Sequence, residues 1–317
     1  IASDQAVIGY ASSIQMEVHI STQTNITNIE TIRFYSHFAD VIVLSRELSL
    51  YQIKKITKEI EKQKIKGPSG ELMQIEIFAH GALCVAVSGK CYMSLHTTNS
   101  SANRGACIQN CRKTYTVTDK EDGHQFEIDN EYIMSPKDLC TIGFLDQVLE
   151  AGANILKLEG RGRSPEYVKT TTECYRDAAD SYLNGTYTKE KIEKWMTKLK
   201  TVYNRGFWDG YYLGQKLGEW SKTHGSKATK KKMYLGKAKK YFTNLRVAEF
   251  DLESFSLNKG DNILITGKTT GVIETIVGEM RLNDKLVKDV KKGDNFSMKL
   301  DYTVRPKDKL YKVINSE

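Results

Sequence analysis

Gln74-Ile-Glu-Ile-Phe-Ala-His-Gly-Ala-Leu-Cys84 is an apolar run that ends in reactive side chains, and it decides the fold. Gln74 to Phe78 has the length and residue types of a buried strand, and His80 and Cys84 follow almost without a spacer. The same grammar recurs. Val18-His-Ile20 precedes Ser21-Thr-Gln23, and Asp40-Val-Ile-Val-Leu44 precedes Ser45-Arg-Glu47. Tyr132-Ile-Met134 precedes Ser135-Pro-Lys137, and Ile155-Leu-Lys-Leu158 precedes Glu159-Gly-Arg161. Amphipathic segments such as Ser49-Leu-Tyr-Gln-Ile-Lys-Lys-Ile-Thr-Lys-Glu-Ile60 separate these runs, with a Ser before the apolar periodicity. Alternation of this kind predicts a parallel sheet with crossover helices. Polar residues after every strand are the arrangement of a β/α barrel, whose site lies at the carboxyl ends of its strands. The expected fold is therefore α/β, a partial TIM-type β/α barrel, because five such units precede Asp177 and a closed barrel takes eight.

Working outward from Cys84, the densest chemistry is Cys84-x6-Cys91-x15-Cys107-x3-Cys111. Six cysteines in 317 residues are too few for a disulfide framework, so their clustering points to metal binding. The spacing matches neither a zinc ribbon nor the dense cysteine run of bacterial ferredoxins, which leaves zinc and an iron-sulfur cluster both open. Cys174 sits in a helical pattern and reads as packing. His80 is a candidate general acid or base, or a structural hydrogen-bonding group at the strand end. Arg46, Arg112, Arg161 and Arg163 could each clamp a carboxylate or pair with Glu47 or Glu159. Glu76, inside the strand, supports the site, and His19 alternates with Val18 and Ile20 to point to the other side of the sheet. His80 with Cys84 could be drawn as a protease pair, but three further cysteines would then go unexplained. There is no H-E-x-x-H and no G-x-S-x-G.

Composition sets the outer bounds. At 40% hydrophobic and 27% charged, the chain can bury a large domain and a small one. No apolar run approaches the ~20 residues of a membrane span, and Ile1-Ala-Ser-Asp-Gln lacks the pattern of a secretory leader. A cytoplasmic protein with reduced thiols and no membrane insertion is expected. The net charge is +8, and Lys222, Lys227, Lys230, Lys231, Lys232, Lys237, Lys239 and Lys240 crowd together, as a polyanion contact or a solvated linker.

Three regions follow from the patterning. Residues 1–165 form the barrel part, with a cysteine loop over 80–130 that includes a hairpin at Lys113-Thr-Tyr-Thr-Val117 and Gln125-Phe-Glu-Ile128. Residues 166–225 are a helical extension and basic linker. Residues 231–317 alternate in period two between Gly and Asp turns, the signature of a small C-terminal all-β barrel.

Glu76, Phe78, His80-Gly81-Ala82-Leu83-Cys84, Ser88-Gly89, Cys91 and Ser94 together resemble the signature of peptidase family U32, the collagenase-like peptidases. The resemblance extends from Ser21-Thr-Gln through Ser45-Arg-Glu-Leu-Ser and Ser135-Pro-Lys-Asp-Leu to Lys157-Leu-Glu-Gly-Arg161. The family name implies proteolysis, while other members are oxygen-independent hydroxylases that carry a 4Fe-4S cluster and act on tRNA, ribosomal RNA or a quinone precursor. The resemblance implies cluster ligands at Cys84, Cys91 and Cys107, with Cys111 as the fourth and Cys140 in reserve. It also implies prephenate as co-substrate, tRNA or another RNA as partner, 5-hydroxylation of the tRNA wobble uridine as the reaction, and His80, Arg46 and Arg161 as catalytic candidates. A C-terminal β-barrel is a family feature suited to contacts with RNA or a protein partner. The alternatives are a collagenase-like peptidase, with zinc in place of the cluster, and an RNA-binding scaffold with a structural metal site. Members also begin well upstream of Ile1, so a fragment, or a protein without the first three strands, is expected.

Overall fold

The computed structural model describes residues 1–87, 90–113, 115, 118–123, 135–221 and 225–316. The chain divides into two compact units, one of Ile1–Arg161, Cys174–Thr197 and Asn204–Lys227, the other of Gly162–Glu173, Lys198–Tyr203 and Ala228–Glu317.

In the first unit, helix α1 (Gln5–Ser13) starts where Asp4 accepts a hydrogen bond from the Val7 amide, a side-chain N-cap. Strands β1 (His19–Ile20), β2 (Val41–Val43) and β3 (Gln74–Ala82) are parallel neighbours. They are joined through α2 (Ile29–Tyr35) and α3 (Leu50–Gln63). Ser49 and Gln52 close a capping box at the start of α3, and Ile53, Ile56 and Ile60 form its buried stripe. After α4 (Met93–Thr98), β4 (Asp138–Cys140) pairs antiparallel with the end of β3. Helix α5 (Leu145–Glu150) leads to β5 (Ile155–Leu158), which runs parallel along the other flank of β3. Helices α6 (Pro165–Leu183) and α7 (Lys189–Lys200) precede β6 (Phe207–Trp208), which is parallel to β4. All of β2 and Ile75 to Gly81 of β3 are buried, the both-faces burial of a parallel sheet covered by helices.

The strand expected at Tyr132-Ile-Met134 and most of the hairpin expected over 113–128 lie outside the described residues. The described strand in this region is instead β4, at Asp138–Cys140, a segment to which the sequence pattern assigns no element. Asp138 tolerates burial because Arg205 lies 3.5 Å away and the Arg205 amide also donates to it, at 3.2 Å.

The second unit is antiparallel. Strands β7 (Lys230–Phe242), β8 (Val247–Leu252), β10 (Asn262–Gly267), β11 (Gly271–Ile276), β12 (Met280–Leu282), β13 (Lys285–Val287), β15 (Asn295–Lys299) and β16 (Lys309–Asn315) form one sheet in the order β11-β10-β16-β7-β8-β15-β12-β13. Strands β9 (Ser256–Asn258) and β14 (Asp289–Lys291) pair separately. Alternation in β8 and β15 turns Phe250 and Phe296 inward as register partners, their rings stacked at 5.6 Å. Asn283 and Asp284 both take positive φ, +48° and +62°, and close the β12-β13 hairpin with the turn that suits strand twist. Neither large sheet closes on itself among the described residues. Lys230, Lys231, Lys232, Lys237, Lys239 and Lys240 lie within β7, and Lys222 is outside the described residues. No described helix is long and apolar enough to cross a membrane.

Candidate functional site

Strand β3 organises the first unit's site. Glu76 is almost fully buried in mid-strand, where His19 Nδ1–H of β1 donates to one carboxylate oxygen at 2.7 Å and Lys157 Nζ of β5 to the other at 2.6 Å. Two residues on, Lys157 Nζ stands 5.4 Å from the Phe78 ring centroid and the Arg46 guanidinium 5.3 Å from it. Arg46 sits just past β2 and Lys157 lies on β5, so the two parallel strands that flank β3 each send a cation toward it.

At the end of β3 the chain bulges between Phe78 and His80, and Gly81 takes φ +118°. A Cβ there would stand 2.6 Å from the Glu159 carbonyl oxygen, so backbone approach requires glycine. His80 is buried and opposite Cys140 in the β3-β4 register. The Tyr175 hydroxyl gathers this corner. It donates to the Ala79 carbonyl at 2.8 Å and lies 3.4 Å from His80 Nδ1 and 3.8 Å from Cys140 Sγ. Burial pushes the Cys140 thiol up to about 12, and burial likewise raises the Tyr175 phenol, so both keep their protons.

Beyond β3 the cysteine loop carries Cys84 and Cys107, both exposed, and Cys91 and Cys111, both partly buried. Burial raises the Cys111 thiol; Arg112 beside it lowers it, while the charges of Cys84, Cys107 and Cys91 push it up further. Cys84, Cys91 and Cys107 are thus each within electrostatic reach of Cys111. Among the described residues, no three His, Cys, Asp or Glu side chains stand close enough together to hold a metal ion. The loop is pinned by cations that are structural. Arg112 donates to the Leu83 and Pro136 carbonyls, both at 2.6 Å, and to Ser135 at 3.1 Å. Arg205, buried against Asp138, donates to Gln109 at 3.2 Å. Ser94 of α4 accepts from the Ile108 amide and donates to Cys107 Sγ at 3.8 Å. Gly105, at φ +84°, lies against the Arg161 guanidinium.

A cavity of about 210 Å³ opens beside this loop. Its walls include Arg46, Glu47, Asn25, Leu83, Cys84, Val85, Trp208 and Trp220. Trp208 is buried, and its indole Nε1–H finds no acceptor among the described residues. A buried donor without a partner costs about 1–3 kcal/mol, which a bound acceptor would recover.

The structure therefore brings Arg46 and Cys84 to one cavity, with Cys91, Cys107 and Cys111 in electrostatic reach of Cys84's loop. His80 and Cys140 are not on the cavity wall, and Arg161 meets the loop at Gly105. Arg163 belongs to the second unit, 4.2 Å over the Tyr203 ring. Sequence reasoning missed Trp208, Trp220, Lys157 as a partner of Glu76, and the Asp138–Arg205 pair. An Asp opening Asp-Leu-Cys, a buried acid in an otherwise apolar triplet, was the signal available for the last.

The chain was then compared with known proteins. The family model described as "Peptidase family U32" matches residues 1–222. A collagenase of Porphyromonas gingivalis (strain ATCC BAA-308 / W83) is 56% identical over 98% of this chain and 75% of its own length. The tRNA hydroxylation protein P1 of Bacillus subtilis (strain 168) is 31% identical over 83% of this chain and 62% of its own. A 23S rRNA 5-hydroxycytidine synthase of Escherichia coli (strain K12) is 38% identical over 64% of this chain and 30% of its own.

Proposed function

The chain belongs to peptidase family U32, and from that premise we propose that it is an iron-sulfur enzyme that hydroxylates an RNA base without molecular oxygen. One observation carries this reading: Cys84, Cys91, Cys107 and Cys111 lie on a single loop, the first three each close enough to Cys111 to act on its thiol, and Cys84 lines a cavity. Four soft thiolate donors suit a 4Fe-4S cluster, and zinc as the alternative, so the residues present fit such a group in donor type and number. Cys84, Cys91, Cys107 and Cys111 would hold it. Cys140, buried beside Tyr175 and kept protonated, is left out of the set. Bound there, a 4Fe-4S cluster supplies redox and Lewis-acid chemistry at the cavity's edge.

The chain's own residues do the rest. Arg46 presents a fork-shaped cation to the carboxylate of the oxygen donor, for which prephenate is the proposed compound. Trp208 Nε1–H donates to a second oxygen of the same ligand, which satisfies its orphaned donor. Leu83, Val85, Val87 and Trp220 supply the apolar part of the wall and exclude water. His80, held by Tyr175 behind the wall, positions the end of β3, and Arg161 steadies the loop at Gly105. The substrate proposed is tRNA, at the wobble uridine, which the relative named tRNA hydroxylation protein P1 supports. Free thiols and an RNA substrate both go with a reducing cytoplasm. The parallel strands are proposed to belong to a β/α barrel and the antiparallel sheet to a small β-barrel.

The test is anaerobic purification followed by iron and sulfide analysis, with a nucleoside profile of total tRNA from a strain lacking the gene. A brown protein with about four irons per chain and loss of a hydroxylated uridine are expected. A second reading is proteolysis, which the 56% identical relative named collagenase favours. Colourless, zinc-loaded protein that degrades gelatin, with an unchanged nucleoside profile, would establish that reading instead.

A further inference from the structure

The chain's positive charge is not spread over its length. Residues 228–317 carry 19 Lys and Arg against 12 Asp and Glu, and residues 1–227 carry 28 against 27. Nearly the whole excess therefore resides in a region without cysteine. The lysine-rich strand β7 is not where that excess is most available, because Lys232, Lys237 and Lys239 pair with Glu166, Glu253 and Glu249 at 2.6, 3.0 and 3.3 Å.

A cavity of about 280 Å³ within the second unit is better equipped. Lys169, Thr270, Tyr302, Thr303 and Arg305 contribute to its wall, together with Glu274. Tyr302 is 56% exposed, an aromatic side chain left standing in water. Arg305 Nη1–H donates to Thr270 Oγ1 at 3.1 Å, and the Arg305 amide donates to Asp308 at 2.7 Å, so the guanidinium is held at the wall by both ends of its residue. Lys169 pairs with Glu274 at 3.2 Å, but both side chains are substantially exposed. Solvent screens such a pair, and an arriving phosphate can replace the carboxylate.

We propose that Tyr302, Arg305 and Lys169 form a binding site for a single-stranded segment of RNA, an inference that rests on the RNA reading above and names the surface that serves it. A base stacks on the Tyr302 ring, which any base can do because each has a π-face. Arg305 and Lys169 take the flanking phosphates, and the threonine hydroxyls face ribose 2′-OH and phosphate oxygens, donating or accepting as needed. The volume is near the lower end of the ~300–1,000 Å³ of small-molecule sites, room for about one nucleotide. An acidic protein segment would satisfy the two cations but leave the aromatic ring without a stacking partner.

The experiment uses the full chain and a labelled, unmodified anticodon stem-loop RNA, followed by fluorescence anisotropy across a salt series. Tyr302→Ala should weaken binding about tenfold and Tyr302→Phe should restore it. Arg305→Gln should flatten the slope of log affinity against log salt by about 0.7, one phosphate's worth on a single strand. Lys54→Ala, on α3 of the first unit, should change neither. Tight binding by the wild type that Tyr302→Ala and Arg305→Gln leave within twofold would overturn the site while leaving the RNA reading intact. No RNA binding by the wild type even at low salt would overturn the RNA reading and the site with it. Displacement of the RNA by polyglutamate at equal charge would point to an acidic protein partner and likewise overturn the proposal.

Discussion

The two units have different kinds of interior. The second is held by an almost wholly apolar core of Leu235, Phe250, Ile265, Phe296, Leu310 and their neighbours. The first buries Glu76, Asp138, His80 and Arg205 among its strands and cations. Buried ion pairs seldom add net stability over apolar residues of the same shape. Their placement in the first unit is what distinguishes them: Glu76 ties β1 and β5 to β3, and Asp138 ties Arg205, and through it Gln109 of the cysteine loop, to β4. The first unit gives up stability to hold a loop in place, whereas the second is a packed scaffold in which Asp308 is buried and most other charged side chains lie outside the core.

This contrast can be broken at either end. Phe250→Ala in the second unit should cost about 4 kcal/mol in urea unfolding, a large apolar side chain lost from a fully buried position. In cluster-free protein its native-state loop thiols should react with a maleimide at the wild-type rate. Asp138→Asn should cost about 3 kcal/mol because it leaves Arg205 buried and uncompensated. Here the rates at Cys107 and Cys111 should rise, since Arg205 no longer anchors Gln109 firmly. If the two substitutions loosened the loop equally, the distinction between the interiors would fail.

Gly81→Ala should cost about 2 kcal/mol by forcing a side chain into a φ of +118° against the Glu159 carbonyl. Thermal melting reads that loss, and Gly123→Ala offers a comparison, since its φ is also positive, at +77°, but none of the described residues lies within 4 Å of its Cβ position. The smallest effect concerns pH. Folding holds the Cys140 proton with a pKa of about 12, above its ordinary value of 9.0. Between those values the unfolded chain has released a proton that the folded chain keeps, so this group's stabilisation is complete below pH 9.0 and is lost as pH rises toward about 12. Alkylation of cluster-free protein at pH ~8, just below the usual thiol range, should mark the exposed Cys84 and Cys107 and spare the buried Cys140 until the protein unfolds.

Much of this was legible from periodicity. Ile53, Ile56 and Ile60 recur at helical spacing behind Ser49, and α3 forms there with its capping box. Phe250 and Phe296 alternate with polar neighbours, and both face the core of the second unit. Asn283-Asp284 marks its hairpin because only a few residue types tolerate two successive positive φ values. Strands β4 and β6 were not legible: unlike the equally short β1 and β2, neither sits in an apolar run that marks it as a strand. Within the candidate site, Arg46 and the cysteine loop were found from residue type and position after a strand. Trp208 was not, because a tryptophan in a loop-rich stretch carries no local signal, and its role depends on a cavity wall assembled from residues 22 to 220. The function of Arg112 was hidden for the same reason: its carbonyl partners are 24 and 29 residues away in sequence.

The central claim is that Cys84, Cys91, Cys107 and Cys111 together hold an iron-sulfur cluster. Iron and sulfide content of anaerobically purified wild type, Cys91→Ala and Cys174→Ala proteins tests it most directly. The account predicts about four of each per chain in the wild type and in Cys174→Ala, with loss of the cluster and its brown colour in Cys91→Ala. Equal metal content in all three proteins, or zinc in place of iron throughout, would contradict it.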